Sequence, residues 1–444
     1  MNQKHILHII PHLGGGLGRV IFAYLREELK QNQNIHYILT LEETKNAVEN
    51  YDDLKKYIKC VNWRNEIKEI KSYINFADIV VIHWFNHPLL FDFMVNFKFL
   101  FCRLICYNHV SSIFYPYTMP PNFFTFFDKI VFTTAASMEI PSVQNFLKLD
   151  NKKFYVIESA FGAEYVNSNI SKPKDEFIIG YIGTINHSKL HPNFIYMCSL
   201  VKSPVKFVIC SNDPQDLLKE EIKKFNIKDK FYLEGKVEDV KPYLEKFHIF
   251  GYPLQPQHFG SAEQALGESM VYKAVPIVFN NLAETYIIKH MENGLIVKNE
   301  KQYAESIDFL FNNPELRNKL SENACKFAKE RYSIKNNVKK WNQVFEELMF
   351  QPKTFHKWTP KTKFGSLGIN LFLDSMGEKK DVFKNYFKNP EKEENINSLI
   401  DFLNSNIQFN LDRKGGIKQY LKYFPSDYNL IKLNNFIDNY QLKD

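Results

Sequence analysis

Short apolar runs rich in β-branched residues alternate with longer amphipathic stretches through most of the chain. Such runs are typical of buried strands, and the stretches between them show the residue spacing of helices. The predicted strands are 6–10, 35–41, 79–83, 104–107, 130–133, 155–157, 177–182, 206–210, 231–233, 249–254, 275–279 and 295–297. The helices between them include 20–30, 214–225, 240–246 and 263–273. This alternation predicts parallel, doubly wound α/β sheets. Because twelve strands are more than a single sheet usually contains, we expect two such domains.

Beyond the last predicted strand the pattern is helical. Apolar residues at helical spacing predict helices at 304–312, 314–331 and 336–349, and Pro314 suits the first turn of the second. The residues from 353 onward carry a net positive charge and contain two helix candidates, 369–388 and 393–407, and a terminal stretch at 423–442. The polar segment 162–176, which includes Pro173, is the expected linker between the two sheets.

Composition narrows the class of protein. The chain has 444 residues, of which 45% are hydrophobic and 24% charged, and its 40 Phe and 24 Tyr exclude a disordered chain. The net charge of +7 is too dilute for a nucleic-acid binder, which would show a clustered basic stripe. Six cysteines without metal-ligand spacing predict reduced, buried thiols. With no signal peptide pattern and no long apolar window, we expect a cytoplasmic protein.

A glycine-rich turn follows the first predicted strand. Gly14, Gly15, Gly16 and Gly18 stand between this strand and the first helix, where backbone N–H groups can approach an anion or a sugar closely. Their spacing differs from the dinucleotide-binding pattern. The alternative is a tight turn without a ligand, but four glycines exceed what a turn needs.

Two further segments carry candidate chemistry. Gly183 begins a loop after the 177–182 strand, and Lys189 lies six residues later, where it can place a positive charge on a phosphate. In the second segment, Ser261 and Gln264 fit a capping box that predicts a helix from residue 262. Glu263 would then lie in the first helical turn. Its alternative role there is to stabilise the helix dipole.

Five motifs in this order resemble the GT-B-fold retaining glycosyltransferases of glycosyltransferase family 4. They are the glycine-rich turn, the GTxxxxKLHP loop at 183–192, the segment 233–244, the FGSAEQALGESMVYKAVPIVFNNLAE block at 259–284 and NGLIV at 293–297. The resemblance covers roughly residues 1–350. It implies two Rossmann-like doubly wound domains that face a cleft. The expected organisation is an acceptor-side domain at 1–165, a nucleotide-sugar-binding domain at 166–335, a helix at 336–352 that crosses back to the first domain, and a mainly helical extension at 353–444.

The resemblance also implies roles for individual residues. Lys189 matches the lysine that contacts the donor diphosphate, Glu268 the acid that binds the ribose, and His109 a histidine beside the transferred sugar. Glu284 occupies a typical family position to which we assign no role. The expected catalytic residues are His109, Lys189 and Glu263. The expected donor-binding residues are Gly15, Gly16, Gly18, Gly183, Thr184, Lys189, Gly260, Ser261 and Glu268.

Two positions depart from the family pattern. Thr184 stands where an arginine usually follows the glycine of the donor loop, and Gly260 stands where the family has an acid eight residues before Glu268. Glu263 is the candidate substitute for that acid. The alternative for Glu268 is a solvated helix residue without a role in binding. The alternative for the whole chain is a relative of these enzymes with weak catalytic activity.

The function implied is transfer of a sugar, with retention of configuration, from a nucleoside-diphosphate sugar to a surface-glycan or glycolipid acceptor. No DxD motif or metal-ligand spacing is visible in the sequence, so we expect neither a metal ion nor a cofactor. The helix N-terminus after Gly260 and Lys189 would stabilise the leaving diphosphate. The alternatives are a nucleotide-sugar epimerase of GT-B fold and a weakly catalytic sugar-nucleotide-binding subunit of a glycan-assembly complex that recruits partners through 353–444.

The sequence gives less information about the acceptor site than about the donor site. The segment 91–127 is dense in aromatic residues and interrupted by prolines, so it forms either a surface patch that docks a lipid-linked acceptor or an anionic membrane, or a Phe-rich core. In the first case the protein would work at the inner face of the membrane. Asp78, His83 and His87 are candidates for lining the acceptor site, although a buried core role suits His83 better.

Overall fold

The chain forms two compact units. The computed structural model describes residues 3–44, 51–261, 263–359, 361–410 and 414–441. The first unit combines Met1–Ile157 with Val338–Asp444, and the second is Glu158–Asn337. None of the helices in these described ranges has the length and apolar character needed to cross a membrane.

The first unit contains a seven-stranded parallel sheet in the order β3-β2-β1-β4-β5-β6-β7. The strands are β1 (Lys4–Ile10), β2 (Asn34–Thr40), β3 (Ile58–Cys60), β4 (Ile79–Trp84), β5 (Leu104–Asn108), β6 (Lys129–Phe132) and β7 (Phe154–Val156). The helices that accompany it are α1 (Gly15–Gln31), α2 (Ile67–Phe76), α3 (Pro88–Asn96), α4 (Phe123–Phe126) and α5 (Pro141–Leu147). This strand order reverses direction at β1 and β4, which makes the sheet doubly wound, as predicted.

The second unit contains a six-stranded parallel sheet in the order β10-β9-β8-β11-β12-β13. The strands are β8 (Phe177–Ile182), β9 (Val205–Cys210), β10 (Phe231–Gly235), β11 (Ile249–Tyr252), β12 (Val275–Phe279) and β13 (Leu295–Val297). The helices are α6 (Phe194–Ser199), α7 (Asp216–Lys224), α8 (Lys241–Leu244), α9 (Gln264–Val271), α10 (Leu282–Thr285), α11 (Glu300–Asn312) and α12 (Pro314–Arg331). All twelve predicted strands are present, and the sequence reading missed β3.

The C-terminal residues are mainly helical, as expected. The boundary between the units falls inside α13 (Ile334–Met349). The helices that follow are α14 (Leu367–Ser375), α15 (Lys380–Lys388), α16 (Glu393–Ser405), α17 (Ile417–Tyr423) and α18 (Tyr428–Gln441). The single helix predicted at 369–388 is wrong, because Gly377 has a φ of +53° and separates α14 from α15. Pro425 similarly separates α17 from α18.

The aromatic segment 91–127 forms core apart from the exposed Phe101, which decides between the two interpretations of its sequence. Phe123, Phe124, Phe126 and Phe127 are all buried. Trp358 of the extension packs edge-on against Phe123, with ring centroids 5.6 Å apart. These residues and apolar side chains from α14 to α18 belong to one core cluster. The interfacial patch is therefore wrong: the prolines that interrupt the segment shape a short helix and turns beneath the extension, and the rings are covered by it.

The six cysteines are free thiols, as expected, and five of them are buried. Cys60, at the end of the edge strand β3, is exposed.

Candidate active site

An ion pair between a partly buried lysine and a buried glutamate lies at the carboxyl end of the sheet in the second unit. Lys189 Nζ is 3.0 Å from Oε2 of Glu263, and the Tyr252 hydroxyl donates to the same oxygen at 2.5 Å. The Lys189 ammonium also lies 5.4 Å from the centre of the Tyr252 ring. Burial raises the pKa of Glu263, but Lys189 and His258 outweigh it and hold the pKa below 4.5. The carboxylate is therefore ionised at neutral pH.

The loop that carries Lys189 is fixed by hydrogen bonds to the strand ends beside it. The Asp213 carboxylate accepts from the Ile185 N–H and from the Asn186 amide, both at 2.9 Å. On the other side the Gln255 N–H donates to the Lys189 carbonyl at 2.9 Å. Gly183 opens the loop with a φ of +149°, which an L side chain rarely adopts. The lysine is thus held in place before any ligand arrives.

Glu263 reaches Lys189 because the backbone at this point is not helical. The residue has a φ of +42° and precedes α9, which begins at Gln264. The predicted capping box is therefore wrong, and Glu263 does not lie in the first helical turn; the predicted start, residue 262, lies outside the described residues. The left-handed conformation turns the side chain inward towards Lys189 instead of along the helix.

Gly260 and Glu263 share one volume. A Cβ built on Gly260 would lie 1.7 Å from Oε1 of Glu263, far inside contact distance. A side chain at 260 and the carboxylate of Glu263 therefore exclude each other. The acid that the family pattern places at 260 is absent here, and the Glu263 carboxylate occupies the adjoining space.

A second buried pair, His258 and Glu284, lies beside Gly260 and Glu263. The Gly260 N–H donates to Nδ1 of His258 at 2.9 Å, so the imidazole carries its proton on Nε2, which donates to Oε2 of Glu284 at 3.1 Å. Burial lowers the pKa of His258, but the Glu284 carboxylate more than compensates and raises it above 6.5. The sequence signals of these two residues were weak, because His258 merely stands two residues before Gly260 and Glu284 occupies a typical family position without an assigned role.

The remaining predicted donor residues of this unit lie around the pair. Ser261 and Glu268 are both buried, and Glu268 lies in the second turn of α9. The alternative of a solvated helix residue is therefore wrong for Glu268. Thr184 accepts a hydrogen bond through its carbonyl from the Tyr181 hydroxyl. Its side chain is shorter than the arginine of the family pattern.

In the first unit the glycine-rich turn enters α1 directly. The helix begins at Gly15, which has a φ of +64°, and so includes Gly16 and Gly18 in its first turn. A Cβ on Gly18 would lie 2.1 Å from the carbonyl oxygen of Leu13. The glycine at 18 is therefore required for the close approach of the turn to the helix, and this accounts for one glycine without a ligand.

His109 follows β5 at the carboxyl edge of the sheet, and its N–H donates to the Trp84 carbonyl at 2.9 Å. Its Nε2 is 3.0 Å from Nδ1 of His83. His83 is buried, which agrees with the core role favoured for it. Asp78 precedes β4 and accepts from the His5 N–H at 2.9 Å. It lies at the opposite, amino end of the strand, so its assignment to the acceptor site is wrong.

Two groups of metal-capable side chains come together from distant parts of the sequence. They are His12 with Glu42 and His87, and His258 with Glu263 and Glu284, and within each group the ligand atoms lie within 4.8 Å of one another. In the second group the Lys189 ammonium already faces Glu263. In the first, the Tyr423 hydroxyl of α17 lies 2.9 Å from Glu42. Sequence spacing alone could show neither group.

Residues 166–327 match the sequence model of a family described as Glycosyl transferases group 1, and they contain the Lys189–Glu263 pair. The chain carries a group 1 glycosyltransferase domain. No curated protein matches this sequence at a significant level. The glycosyltransferase predicted from the motif order is confirmed, and the two Rossmann-like domains agree with the predicted GT-B fold.

Solved structures show the same fold at low sequence identity. The chain is similar to a glycosyltransferase from Rickettsia africae, with a TM-score of 0.62 and 18% identity over 79% of this chain and 99% of that one. It is also similar to HepE from Anabaena in complex with UDP, with a TM-score of 0.62 and 11% identity over 77% of this chain and 100% of that one. The lipopolysaccharide outer core galactosyltransferase WaaB matches with a TM-score of 0.59 and 12% identity, over 77% and 99%. About a fifth of this glycosyltransferase is unmatched in each case.

Proposed function

We propose that this glycosyltransferase moves a sugar from a nucleoside-diphosphate sugar to a surface-glycan or glycolipid acceptor, with retention of configuration and without a metal ion. The observation that carries the proposal is the Lys189–Glu263 ion pair at the carboxyl end of the second sheet, with the carboxylate buried and the lysine partly exposed. Ligands of open α/β sheets bind at this edge. A fixed ammonium there neutralises the charge that develops on a leaving diphosphate.

Three of the roles suggested by the sequence fit this arrangement. Lys189 would contact the diphosphate, Glu268 would bind the ribose, and Glu263 would replace the missing acid at 260 in contact with the donor sugar. The support for the last role is steric, because the Glu263 carboxylate occupies the space beside Gly260. The nucleotide is supported by the UDP bound to the structurally similar HepE.

The acceptor belongs to the first unit in this proposal, with His109 beside the transferred sugar and the turn at Gly15, Gly16 and Gly18 near the donor phosphate. A surface glycan is supported by the likeness to WaaB, a lipopolysaccharide galactosyltransferase. We place the protein in the cytoplasm, where nucleotide sugars are made. A lipid-linked acceptor would bring it to the inner face of the membrane, and the basic extension is then the contact, since the phenylalanines at 123, 124, 126 and 127 are buried.

The decisive experiment measures nucleoside diphosphate release from a panel of donors, with and without acceptor. Lys189→Ala should lower turnover by about 10²–10³, the usual effect of losing one group that stabilises developing charge. The variant also leaves Glu263 buried without its cation, so the double variant Lys189→Met, Glu263→Gln is the folded reference. Lys219→Ala, an exposed lysine on α7, is the matched control. A near-wild-type rate for Lys189→Ala would remove it from the diphosphate site.

Metal independence has its own test. Because Lys189 supplies the positive charge, turnover should persist in excess EDTA. Loss of turnover in EDTA that Mg²⁺ or Mn²⁺ restores would contradict this part of the proposal. The same result would direct attention to the His12, Glu42 and His87 group.

The donor panel also separates the alternatives. An epimerase would release a rearranged nucleotide sugar or free nucleotide without acceptor, and a weakly catalytic subunit would bind donors without turnover. Product NMR gives the anomeric configuration, and inversion would contradict the proposed retention.

A further inference from the structure

Two exposed phenylalanine rings lie side by side at the amino end of the first sheet. Cys102, which lies two residues before β5, and Thr354 form an antiparallel bridge in which each N–H donates to the carbonyl oxygen of the other at 3.0 Å. The bridge brings Phe101 beside Phe355, with ring centroids 6.1 Å apart. Phe101 is 65% exposed and Phe355 is 55% exposed. The pair therefore lies in water rather than in the core beneath it.

The packing of its neighbours keeps Phe355 at the surface. Phe355 and Lys357 are exposed, whereas His356 and Trp358 are buried. This is the alternation of an extended chain, in which successive side chains point to opposite sides. An inward turn of Phe355 would reverse the alternation and expose Trp358. The exposure of the Phe355 ring is thus a consequence of the core that Trp358 joins.

A third exposed ring is tied to the same stretch of backbone. Phe350 directly follows α13 and is 92% exposed. The Arg103 guanidinium donates to the carbonyls on either side of it, that of Met349 at 3.2 Å and that of Gln351 at 2.7 Å. Arg103 itself lies two residues after Phe101. Of the five phenylalanines that are exposed within the described ranges, three are therefore gathered at this end of the sheet.

Exposed lysines accompany these rings. Lys98, Lys357 and Lys361 all lie at the surface. The Lys361 ammonium donates to the Asn96 side-chain oxygen at 3.3 Å, so it lies close to the stretch that carries Lys98. Burial lowers the pKa of Lys361, and the positive charges of Lys357 and Lys98 lower it further. The three ammonium groups therefore lie within electrostatic reach of one another.

The charge of this surface is positive. The segments 96–103 and 350–363 contain six Lys and Arg residues and neither Asp nor Glu. Three carboxylates lie nearby, but they are buried or half-buried and are held by other donors. They are Asp92 with Arg64, Asp128 with the Leu104 N–H and Asp374 with the Thr362 N–H. Negative charge is thus bound beneath the surface, and the lysines stand outside it.

Exposed rings accompanied by lysines match the interface of an anionic bilayer. Aromatic rings enter the region between the headgroups and the acyl chains, and ammonium groups stay with the anionic headgroups. An acidic protein surface would satisfy the lysines, but it would need a separate apolar pocket for each ring. A bilayer offers an apolar layer to all three rings at once.

We propose that this end of the first unit docks the protein reversibly on an anionic membrane. The docking surface consists of Phe101, Phe350, Phe355, Lys98, Lys357 and Lys361. Its rings enter the interface and its lysines bind headgroup phosphates. So few groups give reversible binding rather than permanent anchoring. The purpose of the docking rests on the proposed lipid-linked acceptor, and the inference names the part of the basic extension that makes the contact.

Co-sedimentation with lipid vesicles tests the docking surface. The wild-type chain should sediment with phosphatidylglycerol vesicles and much less with phosphatidylcholine vesicles, and rising salt should release it. Phe101→Ser combined with Phe355→Ser should weaken binding by about tenfold for each ring. Lys357→Gln combined with Lys361→Gln should weaken it by about fivefold for each charge.

The matched control lies on α7 of the second unit. Leu217→Ser combined with Lys219→Gln and Lys223→Gln removes one exposed apolar side chain and two exposed charges, and it should bind vesicles like the wild type. Because Phe101 and Phe355 are exposed, their variant should keep the wild-type melting temperature. If it does not fold, the lysine variant and Phe350→Ser carry the test.

Three results would overturn the inference. The wild type could bind neither kind of vesicle, in which case the lysines point to an acidic protein surface instead. It could bind both kinds equally well, which would remove the role of the lysines. The docking-surface variants could bind as tightly as the α7 control, which would place any membrane contact elsewhere.

The vesicle measurements need neither donor nor acceptor, so they stand or fall separately from the proposed reaction. With a water-soluble acceptor, the variants should release nucleoside diphosphate at the wild-type rate. With an acceptor embedded in vesicles, turnover should fall in parallel with binding. A loss of turnover with the soluble acceptor would show that these residues act on the reaction and not on a membrane.

Discussion

At the scale of single residues, Glu263 combines a proposed contact to the donor sugar with a strained backbone conformation. Its φ of +42° lies in the left-handed region, where a side chain carries a cost of roughly 1–2 kcal/mol that glycine avoids. Strain of this kind persists only when the surroundings hold it. Here the holding contacts are the ion pair with Lys189 and the hydrogen bond from Tyr252.

The matched variants Glu263→Ala and Glu263→Gly separate the carboxylate from the backbone. Both should lower kcat, because both remove the proposed contact to the donor sugar. Glu263→Gly should be more stable than Glu263→Ala by about 1 kcal/mol, since only glycine relieves the left-handed conformation. Urea unfolding measures the difference. If the two variants lose stability equally, the strain is not real; if both keep wild-type kcat, the carboxylate contributes only to folding.

Sequence patterns could not have revealed this contact. The spacing of Ser261 and Gln264 fits a capping box, but tertiary packing around Lys189 determines the start of α9. The contacts among His36, His8, His83 and His109 in the first unit are equally hidden, because these residues are separated by up to 101 residues (109 minus 8) and meet only through strand order.

At the scale of elements, the strands were predictable because burial on both faces leaves continuous apolar runs. The missed strand β3 has only three residues, Ile58–Cys60, and lies at the edge, where no long run is needed. The extension was predicted as helical, but its packing was not, since apolar side chains at helical spacing do not say which surface they cover. It shares a core with the first unit.

Trp358 provides the test of that shared core. Its ring is buried against Phe91, Phe123 and Phe126. Trp358→Ala should lower the free energy of unfolding of the first unit by about 3–5 kcal/mol, the usual cost of removing a large buried ring. Phe355→Ala, at an exposed position three residues earlier, is the control and should change little. Equal stability of the two variants would mean that the extension is a separable arm, as a partner-recruiting role requires.

At the scale of the whole molecule, the buried histidines His8, His83 and His109 make stability depend on pH. The pKa values of His8 and His83 lie well below 6.5, and that of His109 is about 3, mainly because burial disfavours the charged imidazole. The unfolded chain binds protons on these residues below pH 6.5, whereas the folded chain does not. Stability should therefore fall as the pH falls through 6.5, approaching about 1.4 kcal/mol per pH unit for each histidine.

Tryptophan fluorescence can follow this loss in the first unit alone, since Trp63, Trp84, Trp341 and Trp358 all belong to it. Urea midpoints should drop clearly between pH 7.5 and pH 5.5. His258→Gln, in the second unit, should leave the slope unchanged. A midpoint that is flat over this range would mean that His8, His83 and His109 take up protons in the folded chain as readily as in the unfolded one.

The first unit is assembled from two stretches of chain with the whole of the second unit between them. During synthesis, the 287 residues that follow Ile157 (444 minus 157) take roughly 15–60 s to emerge at ordinary elongation rates. Glu158–Asn337 is continuous and can fold as soon as it leaves the ribosome. The phenylalanines at 91–127 can be covered only after Trp358 and the helices that follow it have emerged. For most of that interval the nascent chain therefore exposes the apolar surface of an incompletely folded domain. Chaperone capture should therefore concentrate on the N-terminal segment and end only once residues 338–444 have emerged from the ribosome.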